Sequence, residues 1–164
     1  MTETFSFASI PTSVAELQAL PECDLSSPYK TCALTMLVLL NYTNNVQETI
    51  NMLNVLKGPA PVSPFETQFL RDRLVGKDYV PRSFFAGTSP DNNYTVSNPL
   101  TISVSDNPYS FNEEGWAVLY IQSSGADSPR QIKCRLKPST NQWFMVENFA
   151  LSDIRIPKEA DPWA

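Results

Sequence analysis

KGPAPVSPFETQFLRDRLVGKDYVPRSFFAG, residues 57–87, is the stretch on which the fold turns. Upstream of it apolar residues recur at helical spacing, and downstream they alternate. Lys57-Gly58 reads as a helix end, with glycine just past the last turn. Pro59, Pro61 and Pro64 hold the next residues extended. Ser63-Pro64-Phe65-Glu66 then joins a capping box to a first-turn proline, the strongest helix start in the chain. Phe65, Phe69, Leu70 and Leu74 give that helix its apolar side, and Gly76 ends it. Tyr79-Val80-Pro81 is expected to be extended, because the residue before a proline avoids helical backbone. Phe84-Phe85 is an apolar plug leading into the second half.

Upstream, Ser13 and Glu16 form a second capping box for a short helix over residues 14–20. Ser27-Pro28 starts a longer one, with Tyr29, Cys32, Ala33, Met36, Leu37 and Leu40 at helical spacing. Leu34, Val38 and Leu39 fill its other sides, so this helix belongs in the middle of the core. After a break at Asn44-Asn45, Val46, Ile50, Leu53 and Leu56 mark the stripe of a third helix. Downstream, Leu100, Ile102 and Val104 alternate with hydroxyl residues, and Ile132, Cys134 and Leu136 alternate with Lys133, Arg135 and Lys137. Residues 116–121 and 143–149 are apolar at consecutive positions and read as strands buried on both faces. The connections are short, which favours an antiparallel meander. The expectation is one α+β domain over residues 1–164. Its helical half, about 13–76, packs on a C-terminal antiparallel sheet of about four strands, about 94–150, with a tail at 157–164.

Composition closes off several functions. A formal charge of −5 and a pI near 4.7 do not suit a general binder of phosphate backbones, so no nucleic acid is expected. The chain has no histidine, which removes the usual general base and the commonest zinc ligand. Its three cysteines form no CxxC pair and suit a reducing compartment. No phosphate-binding glycine loop, nucleophile elbow or metal-ligand spacing occurs, so no catalytic residue, cofactor or metal is expected. The longest apolar run, Ala33 to Leu40, is far below the roughly 20 residues of a membrane span. The opening MTETFSFASIPTS has neither the basic nor the apolar part of a secretory leader, and a cytoplasmic location is expected.

The runs KGP at 57–59, SPFE at 63–66, QFLRDRL at 68–74 and PRSFFAG at 81–87 resemble an uncharacterised bacterial family, a domain of unknown function. So do NPYS at 107–110, SGADSPR at 124–130 and DPW at 161–163, and the resemblance extends over most of the chain from about Tyr29. It implies no activity. Helices followed by a curved antiparallel sheet are also similar to the cone-shaped NTF2-like and cystatin-like folds, which host enzymes, ligand pockets and dimerisation modules alike.

Candidate binding residues follow from residue type. Arg71, Arg73 and Arg82 are guanidinium forks for an anion clamp, although Arg71 and Arg73 point about 200° apart on a helix. Trp116, Tyr120 and Trp143 are candidates for lining a cavity or working face. Lys133, Arg135 and Lys137, with Arg130, form a basic row that most simply wets one side of a sheet. Glu113-Glu114 reads as a solvated turn, and Cys32 and Cys134 as core thiols. The functional expectation is a non-catalytic protein-interaction or binding module of a bacterial cell, with a protein partner or a homo-oligomer. The alternative is a small-ligand pocket or minor enzyme in an NTF2-like cone.

Overall fold

A strand opens the chain where none was expected. In the computed structural model, which describes Met1–Ala164, β1 (Thr2–Phe7) lies antiparallel along β2 (Leu100–Ser105). Between them come α1 (Val14–Gln18), α2 (Pro28–Leu39), α3 (Val46–Lys57), α4 (Pro64–Leu74) and the single turn α5 (Tyr79–Arg82). After β2 follow β3 (Trp116–Ile121), β4 (Arg130–Lys137) and β5 (Gln142–Asn148). The sheet therefore has five strands, not four, in the order β1-β2-β3-β4-β5. Glu3 on the inward side of β1, with Phe5 and Phe7, disguises the period-two pattern in the sequence.

The helix starts act as the sequence indicates. The side chains of Ser13, Ser27, Asn45 and Ser63 each accept an N–H from the first turn of α1, α2, α3 and α4. Eleven of the twelve residues of α2 are buried, so it is the central helix, with the sheet on one side and α3 on another. Tyr79-Val80-Pro81 is helical, against expectation. Pro81 sits within the first turn, where its missing N–H costs no helical bond, and burial of Tyr79 and Val80 outweighs the local bias.

The sheet is split. β2 and β3 pair only at Ser105 and Tyr120. Loops fill the gap on either side: Val118 N–H reaches Ser110 O at 3.0 Å, and Ala86 N–H reaches Thr101 O at 2.8 Å. One helix-free face is left. There Trp116, Val118 and Tyr120 of β3 are half-buried, which corrects the expectation of a strand buried on both sides. The other face, with Ala117, Leu119, Ile121, Ile132 and Cys134, joins α2 in the core.

Much of PRSFFAG and SSGAD, residues 81–87 and 123–127, forms one joint. Ser123 Oγ donates to Ser83 Oγ at 2.7 Å, Ser83 Oγ donates to Val80 O at 2.7 Å, and Ser124 N–H reaches Ser83 O at 2.8 Å. Gly125 leaves no room for a Cβ, because the Tyr94 hydroxyl lies against it and donates to Arg155 O at 2.6 Å.

Candidate functional site

The end of α3, the start of α4 and the end of β5 enclose an open groove of about 450 Å³. Its construction begins at Ser63. The capping box of α4 is complete: Glu66 N–H reaches Ser63 Oγ at 3.1 Å, and Ser63 N–H reaches Glu66 Oε1 at 3.3 Å. That places the second carboxylate oxygen of Glu66 2.8 Å from Lys57 Nζ. Lys57 is only 4% exposed, and its ammonium also donates to Val146 O at 3.2 Å. Val146 is the extra residue of a β-bulge: Lys133 faces Glu147 while Cys134 faces Met145, so Val146 has no partner on β4. The bulge turns its carbonyl away from the ladder, and the buried lysine covers it.

Above this polar floor the walls are apolar. Leu53, Leu70 and Met145 are buried, whereas Phe65 of α4 is 78% exposed and Phe149, just past β5, is 50% exposed. Phe69 also lines the groove, with the Arg73 guanidinium 5.1 Å from its ring centroid. The connector from α3 to α4 is pinned by Asn54, whose Oδ1 accepts Val62 N–H at 2.8 Å. Sequence reasoning missed Lys57, Phe149 and the second role of Glu66. The signal was there: Lys57 is four residues beyond Leu53, on the buried stripe of α3, where a lysine needs a partner.

The other candidates are placed as follows. Arg82 donates from Nε to Tyr94 O at 3.0 Å, from Nη2 to Asn93 O at 3.3 Å and from Nη1 to Asp78 at 2.9 Å. Its donors are spent on holding the 93–94 turn, where both residues have positive φ. Arg73 leans on Phe69 and Arg71 is exposed, so these guanidiniums serve separate contacts. Trp116 is brought together with the basic row: Lys133 Nζ is 4.5 Å and Arg135 Cζ 4.9 Å from its ring centroid. Tyr120 shares that open face. Trp143 works through its backbone, giving its N–H to Leu25 O at 2.8 Å and accepting Thr31 Oγ1 at 2.7 Å. Cys32 and Cys134 are both buried with their sulfurs 3.6 Å apart, and burial pushes the Cys32 thiol well above its usual range.

Residues 9–158 match the model of a family described as Domain of unknown function (DUF6935). The chain belongs to that family. No curated protein and no solved structure matches it. The DUF6935 match begins after β1 and takes in every helix and the strands from β2 to β5, the groove included. No helix of this DUF6935 protein is long and apolar enough to cross a membrane.

The bonds of Arg82 predict a structural role. Arg82→Ala is expected to cost about 1–3 kcal/mol, chiefly from the Tyr94 carbonyl left unpaired, since the Asn93 carbonyl is open to water and the ion pair to the exposed Asp78 adds little. Urea denaturation measures the loss, and binding at the groove should be unchanged. A fully stable Arg82→Ala protein that had lost a partner would instead make Arg82 part of a site.

Proposed function

We propose that this domain is a non-catalytic protein-interaction module of a bacterial cell, working in the cytoplasm, and that the groove between α4 and β5 is its working surface. The observation that carries the reading is the pair of phenylalanines, Phe65 and Phe149, exposed at an apolar trough. Exposed aromatic groups around a concave apolar patch lose water on docking and are typical interface anchors. The partner of best fit is an amphipathic helix that lays two apolar side chains into the trough. Strand addition at this place is disfavoured, because Leu25 and Thr31 already occupy the outward backbone groups of Trp143, and Lys57 that of Val146.

The test is a paired variant, Phe65→Ser with Phe149→Ser. Phe65 is mainly solvated and Phe149 half so, and stability should move by no more than about 1 kcal/mol. Partners cross-linked to the wild-type protein in its native host should be absent from the variant. Equal recovery from both would remove the groove from consideration.

A second reading, a small ligand in an NTF2-like cone, draws on the volume of the groove, which lies within the usual range for ligand pockets. The space between α2 and the sheet, where such a cone holds its ligand, is filled by the core. Native mass spectrometry of protein from its own host separates the two readings. A bound small-molecule mass released on unfolding favours the ligand, and protein without one favours the protein partner.

A further inference from the structure

The sheet has two edges, and they are treated differently. On β5 several outward groups are occupied: Trp143 N–H by Leu25, Trp143 O by Thr31 and Val146 O by Lys57. On β1 they are free. Asp106 N–H bonds to Met1 O, so in the alternation of an antiparallel ladder Met1, Glu3, Phe5 and Phe7 turn their backbone groups towards β2. Thr2, Thr4 and Ser6 turn theirs outward, and no protein group meets them. The strand has no lysine, proline or bulge, and of the common guards of an edge it carries only the inward-pointing Glu3.

We infer that β1 is the seam of a homodimer, in which a second copy of this chain adds its own β1 antiparallel and the two sheets become one. The sequence of β1 selects the register. Outward residues must pair with outward residues, and setting Thr2 opposite Thr4 would place Glu3 against Glu3, two like charges directly opposed. Setting Thr4 opposite Ser6 leaves Thr2 without a strand partner. Thr4 opposite Thr4, with Thr2 opposite Ser6 on both sides, uses every outward group and sets Glu3 opposite Phe5. The side chains agree with this register. Thr2, Thr4 and Ser6 already pair their hydroxyls with Ser105, Ser103 and Thr101 at 2.9, 2.8 and 3.0 Å. A two-fold axis through Thr4 extends the small hydroxyl rows across the seam without a clash of bulk or charge. An unrelated strand need not match that register, whereas a second copy does so by symmetry.

Sedimentation equilibrium of the whole chain at about 100 µM, a concentration suited to a weak symmetric pair, should give the dimer mass. Thr4→Pro removes an N–H that the monomer does not use, and should weaken the dimer at least about tenfold. Ser103→Ala breaks the same hydroxyl pair but leaves the edge intact, and should remain dimeric. Should Thr4→Pro fail to fold, Thr4→Lys sets two ammonium groups face to face across the axis, so its dimer should be weak at low salt and recover at high salt. A monomeric wild-type protein overturns the proposal. So does a dimer that survives both Thr4 variants, or one that the Phe65→Ser, Phe149→Ser protein loses instead, which would place the contact at the groove.

Discussion

Gly58→Ala is expected to cost about 3–5 kcal/mol, the sum of a backbone and a packing penalty. Gly58 has φ +58° and ψ −119°, a region that side chains with a Cβ rarely enter. Any Cβ there would also lie 2.5 Å from Cδ1 and 2.6 Å from Cε1 of the Phe144 ring. The clash is not relieved by the far end of the ring alone, since Cγ of Phe144, held close to the β5 backbone, is itself 2.8 Å away. Urea unfolding should show the midpoint falling with the slope unchanged. In a Phe144→Leu background the clash eases and the strain stays, so the same substitution should cost only about 1–3 kcal/mol. A Gly58→Ala protein within about 0.5 kcal/mol of wild type would mean that α3 does not end against β5 in this way. The consequence reaches the groove, because this close approach brings the end of α3, and with it Lys57, up to the bulge carbonyl of Val146.

What could be read from the sequence, and what could not, follows the range of each signal. Ser27-Pro28 and Ser63-Pro64-Phe65-Glu66 act within one turn, and the helices they start are present with the same starts. The alternation at residues 100–104 and 132–136 depends only on which face is buried, and both strands are present. β1 was hidden by a single residue: a glutamate pointing inward breaks the pattern that Phe5 and Phe7 would otherwise complete. The reading of Tyr79-Val80-Pro81 failed because burial of two large side chains outweighed a local preference. The groove is non-local throughout. Glu66 was legible as a capping residue, but its pairing with Lys57 depends on how α3 and α4 are set by the 58–62 connector. Phe149 reaches the same trough from the far end of the chain, and nothing near it in sequence marks it as exposed. Arg82 was legible as unusual, and its partners at Asn93 and Tyr94 were not.

Removing Glu66 is expected to harm the protein more than removing Lys57, because the two partners differ in their access to water. The Lys57 side chain is 3% exposed and that of Glu66 39%. Lys57→Met keeps most of the buried stem and leaves a carboxylate that water can solvate. The cost should be about 1–2 kcal/mol, mainly from the uncovered carbonyl of Val146. Glu66→Ala leaves a buried ammonium with one carbonyl for company and breaks the capping box, at about 3–4 kcal/mol. The discriminating experiment is the double variant. If the stranded charge is the source of the loss, adding Lys57→Met to Glu66→Ala should restore at least about 1 kcal/mol, although each change alone destabilises. Thermal or urea unfolding of the four proteins gives the cycle directly. Simple additivity would mean that the ammonium finds water in the absence of Glu66, and the groove would then have a wet floor. Rescue would mean a dry one, in which the ion pair holds α4 over the trough and keeps Phe65 in the same groove as Phe149.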